Sequence, residues 1–162
     1  MKRAIVLGIL VLLCLPALAI AETVQFPTSA DTWNVQSDPY WWHIGDNVLG
    51  NRTLGLSAIN HADVTLNIIY SSLSGTGHVD LDLRINGVTV GSMIVLPSHG
   101  TGNVVFPLDF APMAGGAIEI QYYETNLVDP GAGSIQLGEG TIDFFGSTPT
   151  LGTSWGSVKA LY

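Results

Sequence analysis

The sequence predicts an all-β fold, an antiparallel β-sandwich, on three observations. Apolar and polar residues alternate with period two in several short runs, and turn-forming residues separate those runs. No stretch of ten or more residues shows the 3.6-residue period of an amphipathic helix. The clearest run is 78–85, where Val79, Leu81, Leu83 and Ile85 share one face and His78, Asp80, Asp82 and Arg84 the other. Asn86-Gly87 follows at once and Val88-Thr89-Val90 resumes the pattern. Asn-Gly supplies the positive φ angles of a two-residue turn, so a hairpin is expected here. Further strands are expected at 63–70, 104–106, 117–123 and 141–145, with turns at 74–77, 98–102, 112–116 and 129–134. Two stacked sheets bury both apolar faces, which one sheet of this size would leave wet. The rival architecture is an outer-membrane barrel. Its strands need roughly 9–11 alternating residues and repeated aromatic girdles, and most of these runs are shorter and lack them.

Composition bounds the function. The 162 residues suit one domain; 47% are hydrophobic and only 11% charged, so the chain is not of the disordered class. Thirteen acidic residues against five basic ones give a formal charge of −8, which excludes nucleic-acid binding by a basic footprint. A single cysteine excludes a disulfide scaffold.

Residues 1–21 are expected to be a signal peptide. Lys2 and Arg3 form a positive start, an apolar run covers 4–15, and Ala19 and Ala21 make an A-x-A cleavage pattern that leaves Glu22 as the new N-terminus. Cys14 lies within the apolar run and departs with it. Cleavage leaves Arg52, Arg84 and Lys159 as the basic side chains, so anionic lipid surfaces are poor partners and no membrane insertion is expected. The mature protein is expected to be secreted or periplasmic. Residues 22–146 form the sandwich, and the Gly/Ser/Thr-rich stretch 147–162 a tail or extra edge strand.

From residue 63 to residue 146 the order of features resembles the jelly-roll carbohydrate-binding modules with a galactose-binding-like fold. The strand Leu81-Asp82-Leu83-Arg84-Ile85 with its Asn86-Gly87 turn carries the resemblance. So do the Pro/Gly-containing loop 96–103, the glycine turn Gly115-Gly116 before a long strand, and Thr141-Ile142-Asp143-Phe144-Phe145 as a last strand with an aspartate between apolar residues. The resemblance implies a carbohydrate partner and a structural calcium between the first and last strands, with Asp143 as one ligand and Glu22, or alternatively Asp31, as a second. The sequence departs from the family where Asn103 stands in place of a loop tryptophan, and where Thr141 and Ile142 stand in place of a sugar-bonding asparagine.

Tyr40-Trp41-Trp42-His43 is the most unusual local cluster. Aromatic faces stack on sugar rings while neighbouring polar groups bond the hydroxyls, so these four residues, with Asp129 in the 125–134 loop, are the expected ligand contacts. In a strand, adjacent tryptophans would face opposite ways and one would become core. Trp33, alternating with Val35, is expected in the core. His43, His61, His78 and His99 show no paired spacing for a transition metal. Gly152-Thr153-Ser154-Trp155-Gly156 matches a nucleophile pattern but has no histidine after it, so no catalytic residues are expected. Asp80 and Asp82 are read as a solvated sheet face. The expected function is therefore a non-catalytic sandwich that binds carbohydrate or a cell-surface polymer. The alternative is a structural subunit that self-associates into a fibre or surface layer, its extended 23–28 segment or its tail adding a strand to a neighbour.

Overall fold

The computed structural model describes residues 20–35, 45–128 and 134–147. Their strands, in chain order, are β1 (Ile20–Gln25), β2 (Thr32–Asn34), β3 (Asn47–Thr53), β4 (Ala58–Ser71), β5 (His78–Ile85), β6 (Val88–Val95), β7 (Gly102–Ala114), β8 (Ala117–Val128), β9 (Ile135–Leu137) and β10 (Thr141–Ser147). One short 3-10 turn, Pro97–His99, is the helical element among the described residues. Every pairing is antiparallel, in two five-stranded sheets. Sheet A runs β1-β10-β4-β7, with β9 paired to the far end of β4; sheet B runs β2-β3-β8-β5-β6. The fold is the jelly-roll β-sandwich the sequence predicts.

The period-two pattern explains the closure. Val79, Leu81, Leu83 and Ile85 of β5, Ile118, Ile120 and Tyr122 of β8, and Met93 and Val95 of β6 are buried against Ala62, Val64, Leu66 and Ile68 of β4 and Ile142 and Phe144 of β10. Phe26, just after β1, packs edge-on against Tyr122 with ring centroids 4.8 Å apart. Asn86 and Gly87 both have positive φ (51° and 77°), as the hairpin requires. Asn86 also ties this turn to the neighbouring strand. Its backbone N–H donates to the Glu119 carbonyl, and its side-chain oxygen accepts from the Glu119 N–H, both at 2.9 Å.

Several boundaries differ from the sequence reading. Residues 112–114, expected in a turn, belong to β7, and the turn is confined to Gly115 and Gly116. β7 is an edge strand, where Pro107 and Pro112 can sit without removing a ladder bond from the sheet interior. Ser147, assigned to the tail, pairs with Ala58 as the last residue of β10. Ile20 and Ala21, the last two residues of the expected leader, lie in β1 opposite Gly146 and Phe145. Trp33 is half-buried against the core rather than within it, and its indole N–H donates to the Thr28 carbonyl at 2.9 Å.

Candidate functional site

The register of sheet B builds a polar platform on its outward face. Opposite the buried Val48, Tyr122, Leu83 and Met93 side, two rows cross all five strands. The first is Asn34, Asn47, Tyr123, Asp82 and Ser92; the second is Thr32, Leu49, Gln121, Arg84 and Thr89. At roughly 4.8 Å between strands, the rows span about 19 Å. Hydrogen bonds knit the platform together. Asn47 Oδ1 accepts from Asn34 Nδ2 at 3.1 Å and from Gln121 Nε2 at 3.2 Å. Asp82, 8% exposed, accepts from the Ser92 hydroxyl at 2.6 Å and the Thr89 hydroxyl at 3.2 Å. The Arg84 guanidinium rests 3.9 Å above the Tyr123 ring centroid. Asp82 is thus a buried, hydroxyl-bonded group, not the solvated carboxylate expected of it.

A group of carboxylates lies at one end of the same sheet. Glu124, 0% exposed, follows Tyr123, and Asp46, 1% exposed, precedes β3. Their backbones interlock: the Glu124 N–H donates to the Asp46 carbonyl at 2.9 Å, and the Gly45 N–H donates to the Glu124 carbonyl at 3.0 Å. Among the described residues neither Glu124 carboxyl oxygen has a hydrogen-bond partner. Burial pushes its pKa up to about 8, with the charges of Asp46 and Asp80 adding to the rise, so this carboxyl is protonated at neutral pH.

The expected contacts Tyr40, Trp41, Trp42, His43 and Asp129 lie outside the described residues. The described chain ends still locate where their segments attach. Segment 36–44 rejoins at Gly45 and Asp46, beside Glu124, and segment 129–133 leaves β8 after Val128, which pairs with His78. Both therefore attach at the carboxylate end of sheet B.

Asp143 and the second calcium ligand that the resemblance implies, Glu22 or alternatively Asp31, are not brought together. Asp143 is on the outward face of sheet A, opposite Thr23 and Asp63, and accepts a hydrogen bond from the Thr23 hydroxyl. Glu22 is one residue out of phase, opposite the buried Phe144, so it points to the other side of the sheet. There it accepts from the Gly55 N–H at 2.7 Å. Asp31 is held by Arg52, whose two terminal nitrogens reach its oxygens at 2.8 and 2.7 Å, and by Thr28. Burial raises the Asp31 pKa, but Arg52 and Thr28 outweigh it and leave the carboxyl below its ordinary value. Glu22, Asp31 and Asp143 as placed do not fit one ion. Among the described residues no three Asp, Glu, His or Cys side chains form a metal-binding group.

Two other features are structural. A cleft of 590 Å³ between the edges of the two sheets is lined by Gln25, Thr28, Asp31, Asn51 and Arg52, but Asp31 and Arg52 satisfy each other across it. On sheet A, His61 is bonded to Asp109 at 2.6 Å and to Asp63 at 3.1 Å, and those bonds raise its pKa. The platform itself escaped the sequence reading because its members come from five separate strands. The signal available was alternation: Gln121 and Tyr123 interleave with Ile120 and Tyr122, and Glu124 continues the apolar phase of β8.

No protein-family model and no curated protein sequence matches the chain. Solved structures do. The CBM36-1 domain of a multidomain xylanase from the hindgut metagenome of Trinervitermes trinervoides is 17% identical over 81% of this chain and all of that one, with a TM-score of 0.54. A carbohydrate-binding module CBM36, solved in complex with calcium and xylotriose, is 22% identical over 76% of this chain and 98% of its own, also with a TM-score of 0.54. A family 35 carbohydrate-binding module from an environmental isolate is 10% identical over 79% of this chain, with a TM-score of 0.51. At these identities the likeness is one of architecture: the chain has the jelly-roll β-sandwich fold of these carbohydrate-binding modules over nearly their whole length.

Proposed function

We propose that this chain is a non-catalytic carbohydrate-binding β-sandwich that acts outside the cell, with the outward face of sheet B as its contact surface. The observation that carries the reading is the pair of polar rows crossing five strands. Sugar hydroxyls need donors and acceptors side by side, and a sugar ring needs an apolar surface to lie on. Asn34, Asn47 and Gln121 supply amide groups of both kinds, and Leu49 and the part of the Tyr123 ring not covered by Arg84 supply apolar surface. Tyr40, Trp41, Trp42, His43 and Asp129 are proposed as further contacts on their side-chain chemistry. The fold shared with carbohydrate-binding modules, one of them solved with xylotriose, supports the same reading.

Retention on a panel of polysaccharides (xylan, glucuronoxylan, cellulose, galactomannan and pectin) tests it by affinity electrophoresis. We expect wild type to be retarded by at least one, and Tyr123→Ala and Gln121→Ala to weaken that retention at least tenfold. Thr65→Ala, on the outward face of sheet A, should leave it unchanged. Circular dichroism melting checks that each variant is folded. Retention by none of the polymers, or loss only in Thr65→Ala, overturns the reading; loss only in Trp41→Ala and Trp42→Ala moves the contact off the sheet and overturns its placement.

A further inference from the structure

Two described arginines are used in opposite ways. Arg52 spends its donors inside the protein. Nε and one terminal nitrogen donate to the Gln25 carbonyl at 2.9 and 2.7 Å, both terminal nitrogens reach Asp31, and one also donates to the Asn51 carbonyl. Its job is to hold the β1–β2 connection against β3. Arg84 does nothing comparable. Among the described residues its polar contact is Asp82 Oδ2 at 3.7 Å, beyond hydrogen-bond reach, and both Asp82 oxygens already accept from Ser92 and Thr89. An Arg side chain carries five N–H donors in a rigid fork. Here that fork is fixed over the Tyr123 ring, 26% exposed, in the middle of the proposed sugar platform, with Gln121 and Thr89 as its strand neighbours.

We propose that Arg84 makes this platform selective for an acidic sugar, a glycan whose uronate carboxylate takes the unused fork of the guanidinium while Tyr123, Gln121 and Asn47 hold its neutral part. The inference rests on the carbohydrate-binding reading and gives it a substrate class. Three physical points carry it. A carboxylate presents two coplanar oxygens that match the guanidinium in a bidentate contact, which a hydroxyl cannot do. Stacking on Tyr123 restricts the side chain before ligand arrives, so little rotamer freedom remains to be lost on binding. The surroundings limit how much negative charge is welcome. Asp80, Asp82 and Glu119 share the region and the chain carries a net charge of −8, so a densely charged polyanion is repelled. One isolated carboxylate in contact with the guanidinium is offset by its positive charge, while Asp82, 3.7 Å from the same guanidinium, opposes a second. The ligand class is therefore a mostly neutral glycan with sparse uronate branches or a uronate end.

Isothermal titration of matched oligosaccharides tests the inference: a xylo-oligosaccharide bearing one glucuronate, the same compound with its carboxyl reduced to the alcohol, and a sulfate ester on the same skeleton. Wild type should bind the glucuronate at least tenfold more tightly than the reduced compound and more tightly than the sulfate ester. Arg84→Gln should bring the glucuronate and reduced compounds to within twofold of each other. Arg84→Lys, which keeps the charge but lacks the fork, should restore only part of the preference. Equal binding of the acid and the alcohol by wild type, or a preference that survives in Arg84→Gln, overturns the acidic-sugar assignment and leaves the carbohydrate reading standing. Preference for the sulfate also overturns it, as does binding of none of the three, whereas the carbohydrate reading falls only if the polysaccharide panel fails as well.

Discussion

Glu124 is the residue whose environment departs most from the ordinary. It is a carboxyl at the end of an apolar strand face, with no hydrogen-bond partner among the described residues and with Asp46 and Asp80 near enough to oppose its ionisation. Folding raises its pKa from 4.5 to about 8, so in that interval the folded chain binds a proton that the unfolded chain has lost. The contribution is fully present below pH 4.5 and is lost as pH rises through about 8. Glu124→Gln removes this titration. Thermal melts from pH 5 to pH 9 should fall less steeply for the variant than for wild type, with the variant more stable at pH 9 by on the order of 2 kcal/mol. Parallel melting curves would show that Glu124 does not titrate with folding. This residue was legible in part, since extending the β8 alternation from Tyr122 places Glu124 on the apolar side. The sequence does not show that Asp46, distant in the chain, arrives beside it. The alternation of 78–85 puts Arg84 and Asp82 on one polar face, but their separate partners, Tyr123 on β8 and Ser92 and Thr89 on β6, depend on register between strands.

Among the elements, the β5–β6 hairpin was the most legible because its signal is local: Asn86-Gly87 sets the turn and the alternation of 78–85 sets the face. The length of β7 was not legible, because prolines at 107 and 112 punctuate it and only its position at the sheet edge makes them harmless. The connection between β1 and β2 depends on a close approach that the sequence hides. A Cβ at Gly50 would overlap the Asp31 carboxylate and come within 2.9 Å of an Arg52 terminal nitrogen, so only glycine lets Asp31 and Arg52 meet across β3. Gly50→Ala should therefore destabilise the fold by about 1–3 kcal/mol in urea denaturation. Arg52→Met should lower stability by removing the same clamp, and Gly50→Ala should add little in the Arg52→Met background, because the two changes break one contact. Full additivity would show that the clamp does not exist in solution. The segment 23–28, expected as a strand to be offered to a neighbour, contributes Thr23, Val24 and Gln25 to β1, where each pairs with β10 of its own chain.

At the scale of the molecule, the two sheets hide their apolar faces from water and leave two polar faces of different character. Sheet A presents His61, Asp63, Asp109 and Asp143; sheet B presents amides, a tyrosine ring and an arginine whose guanidinium makes no hydrogen bond among the described residues. The sequence foretold the sandwich, since period-two runs and turn residues are local properties. It did not foretell which polar residues share a face, because strand order decides that and strand order follows from the packing of the whole chain. The account depends on sheet B, not sheet A or the cleft at Arg52, being the surface that meets sugar. Two-dimensional NMR of the labelled protein, titrated with the glucuronate-bearing xylo-oligosaccharide, tests this most directly. The account predicts saturable amide shifts concentrated at Asn34, Asn47, Arg84, Gln121 and Tyr123, with His61, Asp109 and Asp143 still. Shifts centred on His61 and Asp143, or none at millimolar sugar, would contradict it.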